Sequence, residues 1–484
     1  MKLAKQKIGM WGLGIVGWSI LKYLATQKIN FQANLNNLKS SNFDLIVFEQ
    51  RELSPEELAQ LAILGVSQAT NLADFLNFTD IVIPSPGVDL RDYQAYKHKF
   101  HSELDLFAAN FHKPILAITG SLGKTTITTV LAELLTKLNL RVAVGGNIGV
   151  GMCDLIDQQA NLDLVVLELS SFQLEQVQNF CAQGALWTNF CANHLDRHNN
   201  LTEYFKAKLR LFELQEAAGI SLLPNELLDN LELLNLDKIK SKLNFFGSEK
   251  FSGLINLGII NNLYYVRADF IVREQAGRVT NLIRVAELDA SILLINWVAI
   301  VGFLDLVNNN LLSVSKPSVP VSEVNNLINI LRDYKFAGIE HRVEFFAEIN
   351  GVKFYNDSKS TVPEATLAAL NCLTNKVATS PIILILGGLG KGVKRDKFIS
   401  ELIKYKNLKQ VIIFGGEAQV LKKWCDLHNL NSLVCADLSD IVAHVWEIAE
   451  PNDNVLFSPS GSSYDLFKNY MVRGQEFKKL VLNN

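Results

Sequence analysis

With 484 residues the chain exceeds one ordinary domain, and roughly two to four are expected. Apolar residues make up 49% and charged residues 20%, which supports large buried cores and excludes a disordered chain. A net charge of −3 with Lys and Arg dispersed leaves no basic footprint for nucleic acid or for a membrane surface.

The six cysteines, Cys153, Cys181, Cys191, Cys372, Cys425 and Cys435, show no C-x-x-C spacing. They read as reduced, mostly buried thiols of a cytoplasmic protein. The opening MKLAKQKIGMWGLG has no long apolar core before its glycines and does not read as a signal peptide. The most apolar stretch, Ile292–Leu304, is broken by Asn296 and Gly302 and flanked by Asp289 and Asp305. A buried helix is expected there rather than a membrane span.

Lys7–Met10 starts a strand, and Gly12-Leu13-Gly14-Ile15-Val16-Gly17 opens a helix to about Leu24. Strands at Asp44–Phe48, ending at Glu49-Gln50-Arg51, and at Asp80–Ile83, ending at Ser85-Pro86-Gly87, describe a Rossmann-like unit with its ligand at the carboxyl edge. The G-x-G-x-x-G has two readings. One is NAD binding with Glu49 on the ribose; the other is a tight βα turn that holds another nucleotide, or nothing.

Next, Ile115–Ile118 reads as a buried strand, Gly120-Ser121-Leu122-Gly123-Lys124-Thr125 as a loop, and Thr126–Leu135 as a helix. Strand, glycine loop and helix together bind polyphosphate, because backbone N–H groups and the helix N-terminus meet the anion. Lys124 would reach the β/γ-phosphates and the Thr125 hydroxyl would ligate Mg²⁺. The loop is the short form: the usual extra glycine, five residues before Gly123, is Ile118. The competing reading is a plain βα turn.

Arg141–Val144 leads into Gly145–Gly149, and Leu162–Leu167 ends at Glu168. An acid at the carboxyl end of a buried strand, downstream of such a loop, is where Mg²⁺ or its water is held; an edge acid that merely caps the next turn is the alternative. Ala185–Asn189 precedes Asn193-His194-Leu195-Asp196-Arg197-His198. Two His at i,i+4 could share a helix face and bind Zn²⁺. Without a Glu between them or a third ligand, one His near Mg²⁺ or phosphate and the other structural is the preferred reading. Glu203–Phe212 is helical and carries Lys206 and Lys208 among apolar residues, the pattern of snorkelling surface lysines. Asn225–Glu287 says little about chemistry, with short strands such as Leu263–Arg267. Asn308–Asn310, Pro317 and Pro320 mark loops, and Val321–Tyr334 is an amphipathic helix.

From Gly338 a third region begins. Glu340-His341-Arg342 precedes an Asn350-Gly351 hairpin of Phe345–Ile349 and Val352–Tyr355. The loop Asn356-Asp357-Ser358-Lys359-Ser360-Thr361 then collects an acid, a base and hydroxyls before a helix at Glu364–Leu370. Strands ending at Gly387-Gly388, Gly415-Gly416 and Ser458-Pro459-Ser460-Gly461 alternate with helices, so a second Rossmann-like sheet is expected. No G-x-S-x-G elbow and no zinc-protease helix occurs.

Taken together, these stretches resemble the Mur ligases, the ATP-dependent amide-forming enzymes of peptidoglycan synthesis. TGSLGKTT, GGNIG (Gly145–Gly149), LELSSFQLE (Leu167–Glu175), HLDRH (His194–His198), KAKLRLF (Lys206–Phe212), EHR (Glu340–Arg342), NDSKST (Asn356–Thr361) and FKNYMVRG (Phe467–Gly474) follow the family's order. The resemblance is weakest over Asn225–Glu287. Within the family, ELSSFQLE and the FKN-x-x-x-RG tail resemble the D-glutamate-adding branch.

The resemblance implies an α/β fold in three domains. Residues 1–112 would be a Rossmann-like UDP-substrate domain, 113–338 a P-loop ATPase-type domain with a parallel sheet, and 339–484 a Rossmann-like amino-acid and nucleotide domain. It implies ATP and Mg²⁺ as cofactors and UDP-N-acetylmuramoyl-L-alanine and D-glutamate as substrates, in a cytoplasmic monomer with no nucleic-acid or membrane partner. Carried over by position, Gly120, Ser121, Leu122, Gly123, Lys124, Thr125, Thr126, Asn296, Arg342 and Asp357 would hold the nucleotide. Thr125, Glu168, His194 and Lys208 would hold metal, Lys208 as a carbamate, and Lys124, His194, Lys208 and Lys359 form the catalytic set. Leu13, Val16, Arg51, Ser85, Pro86, Gly87, Asn147 and Ser170 fall where the UDP-sugar sits; Thr361, Lys391, Ser463 and Tyr470 fall at the amino-acid pocket. The weak N-terminal glycine motif would then face a UDP diphosphate rather than NAD.

The chain departs from the family pattern at Leu122, Asn193, Val362, Leu389-Gly390 and Leu293. A sister ligase adding another amino acid, a weakly active ATP-binding homologue and an NAD oxidoreductase are the competing readings.

Overall fold

A computed structural model describes residues 6–29, 43–195, 197–251, 260–312, 322–377, 379–390 and 395–483. The chain divides into two compact units. The first comprises Met1–Phe190, Thr202–Leu288 and Leu294–Tyr334, and the second comprises Cys191–Leu201, Asp289–Leu293 and Lys335–Asn484.

The first unit holds two sheets. In the smaller, Val66–Gln68, Phe43–Phe48, Gln6–Trp11 and Ile81–Pro84 lie side by side in that order, all parallel. Helices at Ile15–Ile29, Pro55–Ile63 and Leu72–Phe78 connect them. The alternation of strand and helix over the first 84 residues thus closes as a parallel Rossmann-like layer.

The larger sheet runs Arg278–Arg284, Phe270–Gln275, Ile260–Arg267, Lys242–Phe246, Ile220–Pro224, Gly184–Trp187, Ile115–Thr119, Leu164–Glu168, Val142–Gly146. Phe270–Gln275 runs antiparallel to both of its neighbours, and every other pairing in the sheet is parallel. Ile115–Thr119 sits inside the parallel part and is buried along its whole length. That is why it reads as an unbroken apolar run. Four strands of this sheet, at 220–224, 242–246, 270–275 and 278–284, carry no clean alternation in the sequence; they extend the sheet by pairing with neighbours.

The apolar helix Leu294–Val307 packs on this sheet. Its Gly302 lies so close to Tyr264 that a Cβ there would stand 2.9 Å from the ring. Leu294–Leu311 is the one stretch among the described residues long and apolar enough to cross a membrane, and 61% of it is buried inside the fold. Asn308–Asn310, expected as a loop, instead continues this helix as a π turn over Asn308–Leu312. The Asn310 amide donates to the Leu306 carbonyl at 2.7 Å, and the Asn309 amide to Asp305 at 3.0 Å. Pro317 and Pro320 lie outside the described residues.

The second unit carries a six-stranded sheet in the order Glu344–Ile349, Val352–Asn356, Asn454–Phe457, Ile382–Gly387, Leu408–Phe414, Ser432–Val434. Only the Glu344–Ile349 edge strand is antiparallel. Its hairpin turns at Asn350 and Gly351, both at positive φ (+52° and +78°), the geometry that Asn-Gly favours between strands.

Candidate active site

The phosphate loop is shaped by the strand and helix it joins. Ile115–Thr119 delivers Gly120 to the carboxyl edge of the large sheet, and Gly123 is the N-cap of the Lys124–Lys137 helix. Gly120 has φ +143°, and a Cβ there would lie 2.0 Å from Thr188 Oγ1, so only glycine fits. Leu122 is held by its backbone. Its N–H donates to Asn189 Oδ1 at 2.8 Å, and its carbonyl accepts from Thr188 Oγ1 (2.5 Å) and Asn189 Nδ2 (3.0 Å). The Lys124 ammonium donates to the carbonyls of Gly120 (2.9 Å) and Ser121 (3.0 Å). Thr126 follows, half-buried, and Asn296 stands against Gly123, where a Cβ would lie 3.1 Å from its Oδ1.

Two buried ionisable side chains serve this loop. Glu168 ends the neighbouring strand, in register with Ile118, and is 1% exposed. Its carboxylate accepts from the Thr125 hydroxyl at 2.7 Å and from Asn147 Nδ2 at 2.7 Å. Lys208, also 1% exposed, donates to the Gly120 carbonyl at 2.8 Å. Its ammonium lies 4.5 Å from the centre of the Tyr204 ring, and the Tyr204 hydroxyl is 3.1 Å from Ser121 Oγ.

The surface reading of Lys208 is therefore corrected. Along the Leu201–Glu213 helix, two residues are separated by about 200°, so Lys206 faces out and Lys208 faces in. Hydroxyl, carboxylate and amide oxygens together form the hard donor set that suits Mg²⁺ better than Zn²⁺.

At the carboxyl edge of the small sheet, Leu13, Arg51 and Ser85 converge. Glu49 accepts the Leu13 N–H at 2.6 Å, Arg51 reaches the Leu13 carbonyl at 3.5 Å while pairing with Glu57, and the Ser85 hydroxyl donates to the Gly12 carbonyl at 2.9 Å. Val16 lies in the first turn of the following helix, and Pro86 and Gly87 continue the Ser85 loop. Ser170 caps a short helix at Ser171–Leu174.

In the second unit, His194 has φ +56°, and its carbonyl accepts the N–H groups of Arg197 (3.1 Å) and His198 (2.9 Å). This is one turn and not a helix, so His194 and His198 do not share a helix face, and the helix-face zinc reading is corrected. Asp196 lies outside the described residues.

Asp357 is buried. Its carboxyl accepts from Ser458 Oγ at 2.7 Å and from the Val343 N–H at 3.2 Å. Burial pushes it up to about 7, against the Ser458 hydrogen bond and the Arg342 charge. Arg342 sits between two residues in left-handed backbone, His341 (φ +64°) and Val343 (φ +43°), so Asp357 grips a strained turn. The Lys359 ammonium lies 5.2 Å from the Tyr470 ring centre. Thr361 is half-buried and Ser463 buried, and Tyr470 opens the Tyr470–Leu482 helix. Lys391 lies outside the described residues.

Sequence reasoning passed over four supporting residues. Thr188 and Asn189 clamp the loop from an adjacent strand end, and no motif marks them. Tyr204 is one helical turn before Lys208, a spacing legible in principle. Arg473, fully buried, donates to the Ser358 carbonyl (2.7 Å), Ser358 Oγ (3.1 Å) and the Gly461 carbonyl (3.0 Å). It ties together the two loops that hold Asp357 and Ser463.

Residues 118–295 match the Mur ligase middle domain, and residues 341–461 match the Mur ligase glutamate ligase domain. A UDP-N-acetylmuramoylalanine–D-glutamate ligase of Caldanaerobacter subterraneus subsp. tengcongensis is 30% identical over 491 residues, covering 100% of this chain and 99% of that protein. Two solved structures share the fold: the UDP-N-acetylmuramate-alanine ligase MurC of Thermotoga maritima and the ADP complex of MurF ligase from the same organism. The first has TM-score 0.57 at 16% identity, covering 99% of each chain. The second has TM-score 0.56 at 16% identity, covering 90% of this chain and 95% of that one. With the short phosphate loop, the buried Glu168 and Lys208 beside it, and a full-length relative at this identity, the chain belongs to the Mur ligase family.

Proposed function

We propose that this protein is an ATP-dependent ligase that joins D-glutamate to UDP-N-acetylmuramoyl-L-alanine, releasing ADP and phosphate, in the cytoplasm. The observation that carries this reading is the set of buried Thr125, Glu168 and Lys208, with Asn147 hydrogen-bonded to Glu168, around a phosphate loop in a chain similar end to end to a D-glutamate ligase. The three-domain division at 112 and 338 belongs to the same proposal.

In the reaction, a carboxylate oxygen of the alanyl substrate bonds to the γ-phosphorus as the bond to ADP breaks. The D-glutamate amine then bonds to the acyl carbon, phosphate leaves with the C–O electron pair, and the amine gives up a proton. Both steps gather negative charge, which the Lys124 ammonium and the loop N–H groups are suited to stabilise. Thr125, Glu168 and His194, with Lys208 if it carries a carbamate, would hold Mg²⁺, which supplies charge neutralisation at the phosphates. Asn296, Arg342 and Asp357 are assigned to the nucleotide. Leu13, Val16, Arg51, Ser85–Gly87, Asn147 and Ser170 are assigned to the UDP-sugar, and Thr361, Lys391, Ser463 and Tyr470 to D-glutamate.

Phosphate release with ATP and UDP-N-acetylmuramoyl-L-alanine, screened against D-glutamate, L-lysine, diaminopimelate and L-alanine, tests the reading. Turnover with D-glutamate alone is expected. Response only to another amino acid would assign a sister ligase, and silence with all four would favour a binding homologue. The carbamate is checked separately: ¹³C-bicarbonate should give a carbamate NMR signal in the wild type that is absent from Lys208→Arg.

A further inference from the structure

Three loops leave the carboxyl edge of the six-stranded sheet side by side. They follow Asn454–Phe457, Ile382–Gly387 and Leu408–Phe414, with Ile382–Gly387 in the middle. Parallel sheets bind their ligands at this edge. Arg395 opens the Arg395–Leu402 helix, which follows the middle strand, and it reaches both outer loops. It is 5% exposed. Its Nε–H donates to Glu417 Oε2 at 2.8 Å, and its Nη2 lies 2.6 Å from the same oxygen. Its Nη1 donates to the Ser460 carbonyl at 3.0 Å and to Ser460 Oγ at 2.8 Å. All three guanidinium nitrogens thus face protein acceptors. Arg395 is a brace between loops rather than a receptor for a substrate carboxylate.

Each end of the brace is a place that needs holding. Ser460 is fully buried at φ +62°, left-handed backbone that a serine keeps only where its surroundings fix it. Arg395 grips it by both its carbonyl and its hydroxyl. Glu417 is the N-cap residue of the Ala418–Leu427 helix, and its own N–H donates to the Gly388 carbonyl at 3.1 Å. Its Oε1 fills the space over Gly390, where a Cβ would lie 2.0 Å away. Leu389-Gly390 is a point where the chain departs from the family pattern, and the missing side chain at 390 is what admits the Glu417 carboxylate. Backbone bonds tie the middle loop to the Ser460 loop as well. The Leu389 N–H donates to the Ser462 carbonyl at 2.9 Å, and the Ser462 N–H to the Leu389 carbonyl at 2.7 Å. Buried Ser463 is the next residue.

We propose that Arg395 is a positioning residue for the amino-acid substrate: by bracing Ser460 against Glu417 it fixes the loop that presents Ser463 to D-glutamate. The inference rests on the assignment of Ser463 to that substrate.

The test replaces Arg395 in the full chain. Arg395→Met removes the charge and the donors at similar length. It should raise KM for D-glutamate about tenfold, while kcat and the KM values for ATP and UDP-N-acetylmuramoyl-L-alanine stay within about twofold. Arg395→Lys, which keeps the cation and loses the planar fork, should fall between the wild type and Arg395→Met. Hydrogen–deuterium exchange across Ser458–Ser463 should be about tenfold faster in Arg395→Met. An unchanged KM for D-glutamate, or an equal rise in all three KM values, would overturn the proposal. If Arg395→Met does not fold, Ser460→Ala removes one acceptor of the brace and must raise KM for D-glutamate alone, by about threefold; wild-type kinetics there overturns it. If the wild type itself releases no phosphate with D-glutamate, the ligase reading fails, while the exchange comparison still decides whether Arg395 braces the loop.

Discussion

Thr125 and Glu168, 43 residues apart in the chain, meet at 2.7 Å, the hydroxyl donating to a carboxylate that is itself almost wholly buried. A buried carboxylate tolerates its site only while its oxygens are matched by donors or a cation. Thr125→Val keeps the volume and removes the donor. Stability should fall by about 1–3 kcal/mol, and ligase turnover by about 100-fold. Denaturant unfolding and phosphate release check the two separately, and a Thr125→Val enzyme with full turnover would remove Thr125 from the reaction.

The phosphate loop is clamped through the backbone of Leu122 rather than through its side chain. Leu122→Asn should therefore leave KM for ATP within about threefold. Asn189→Ala, which strips the Leu122 N–H of its acceptor and the carbonyl of one donor, should raise it about tenfold, the equivalent of roughly 1.4 kcal/mol. Steady-state kinetics on the two variants decide this; the opposite ranking would place the control in the Leu122 side chain.

Arg473 and Gly474 are coupled to the Asp357 loop by geometry. Arg473 spends its guanidinium on three acceptors in two loops. A Cβ on Gly474 would stand 2.4 Å from His341 Nδ1. Arg473→Lys cannot reproduce the planar fork, and Gly474→Ala forces His341 away from Asn356, so each should cost about 1–3 kcal/mol. Thermal melts measure the loss; a wild-type melting temperature for either variant would contradict the packing described.

Asp357 supplies a pH dependence with a definite sign. Its carboxyl is raised from the ordinary 3.8 to about 7 by burial. For an acid shifted upward on folding, the stabilising contribution is complete below the unfolded value and is lost as pH rises to the folded one. The stability of the wild type relative to Asp357→Asn should therefore decline between about pH 4 and 7 and level off above. Urea unfolding of both full chains at pH 5, 6, 7 and 8 measures the difference, and a flat difference across that range would show that Asp357 keeps an ordinary carboxyl.

Much of the architecture was legible because local rules and tertiary environment agree. Gly120 and Gly123 stand out in the sequence because their backbone angles exclude other residues, and the run Ile115–Ile118 because a central parallel strand is buried on both faces. The Asn350-Gly351 hairpin follows from turn chemistry alone. Strands such as Lys242–Phe246 were hidden, since pairing with strands on either side stabilises them more than their own pattern does.

What the tertiary structure alone decided is which side chain faces which. Lys208 looked like a surface lysine because charge and apolar flanks say nothing about helix rotation; packing turned it inward onto Gly120. The His194–His198 spacing suggested a helix face, but a residue at φ +56° makes a turn instead. Asn189 and Arg473 act through partners 67 and 115 positions away in sequence. The residue types that can bind phosphate, metal and amino acid are written in the sequence. Which of them are held in place, and by what, is set by contacts between distant segments, because a hydrogen bond depends on distance and direction and the linear order encodes neither.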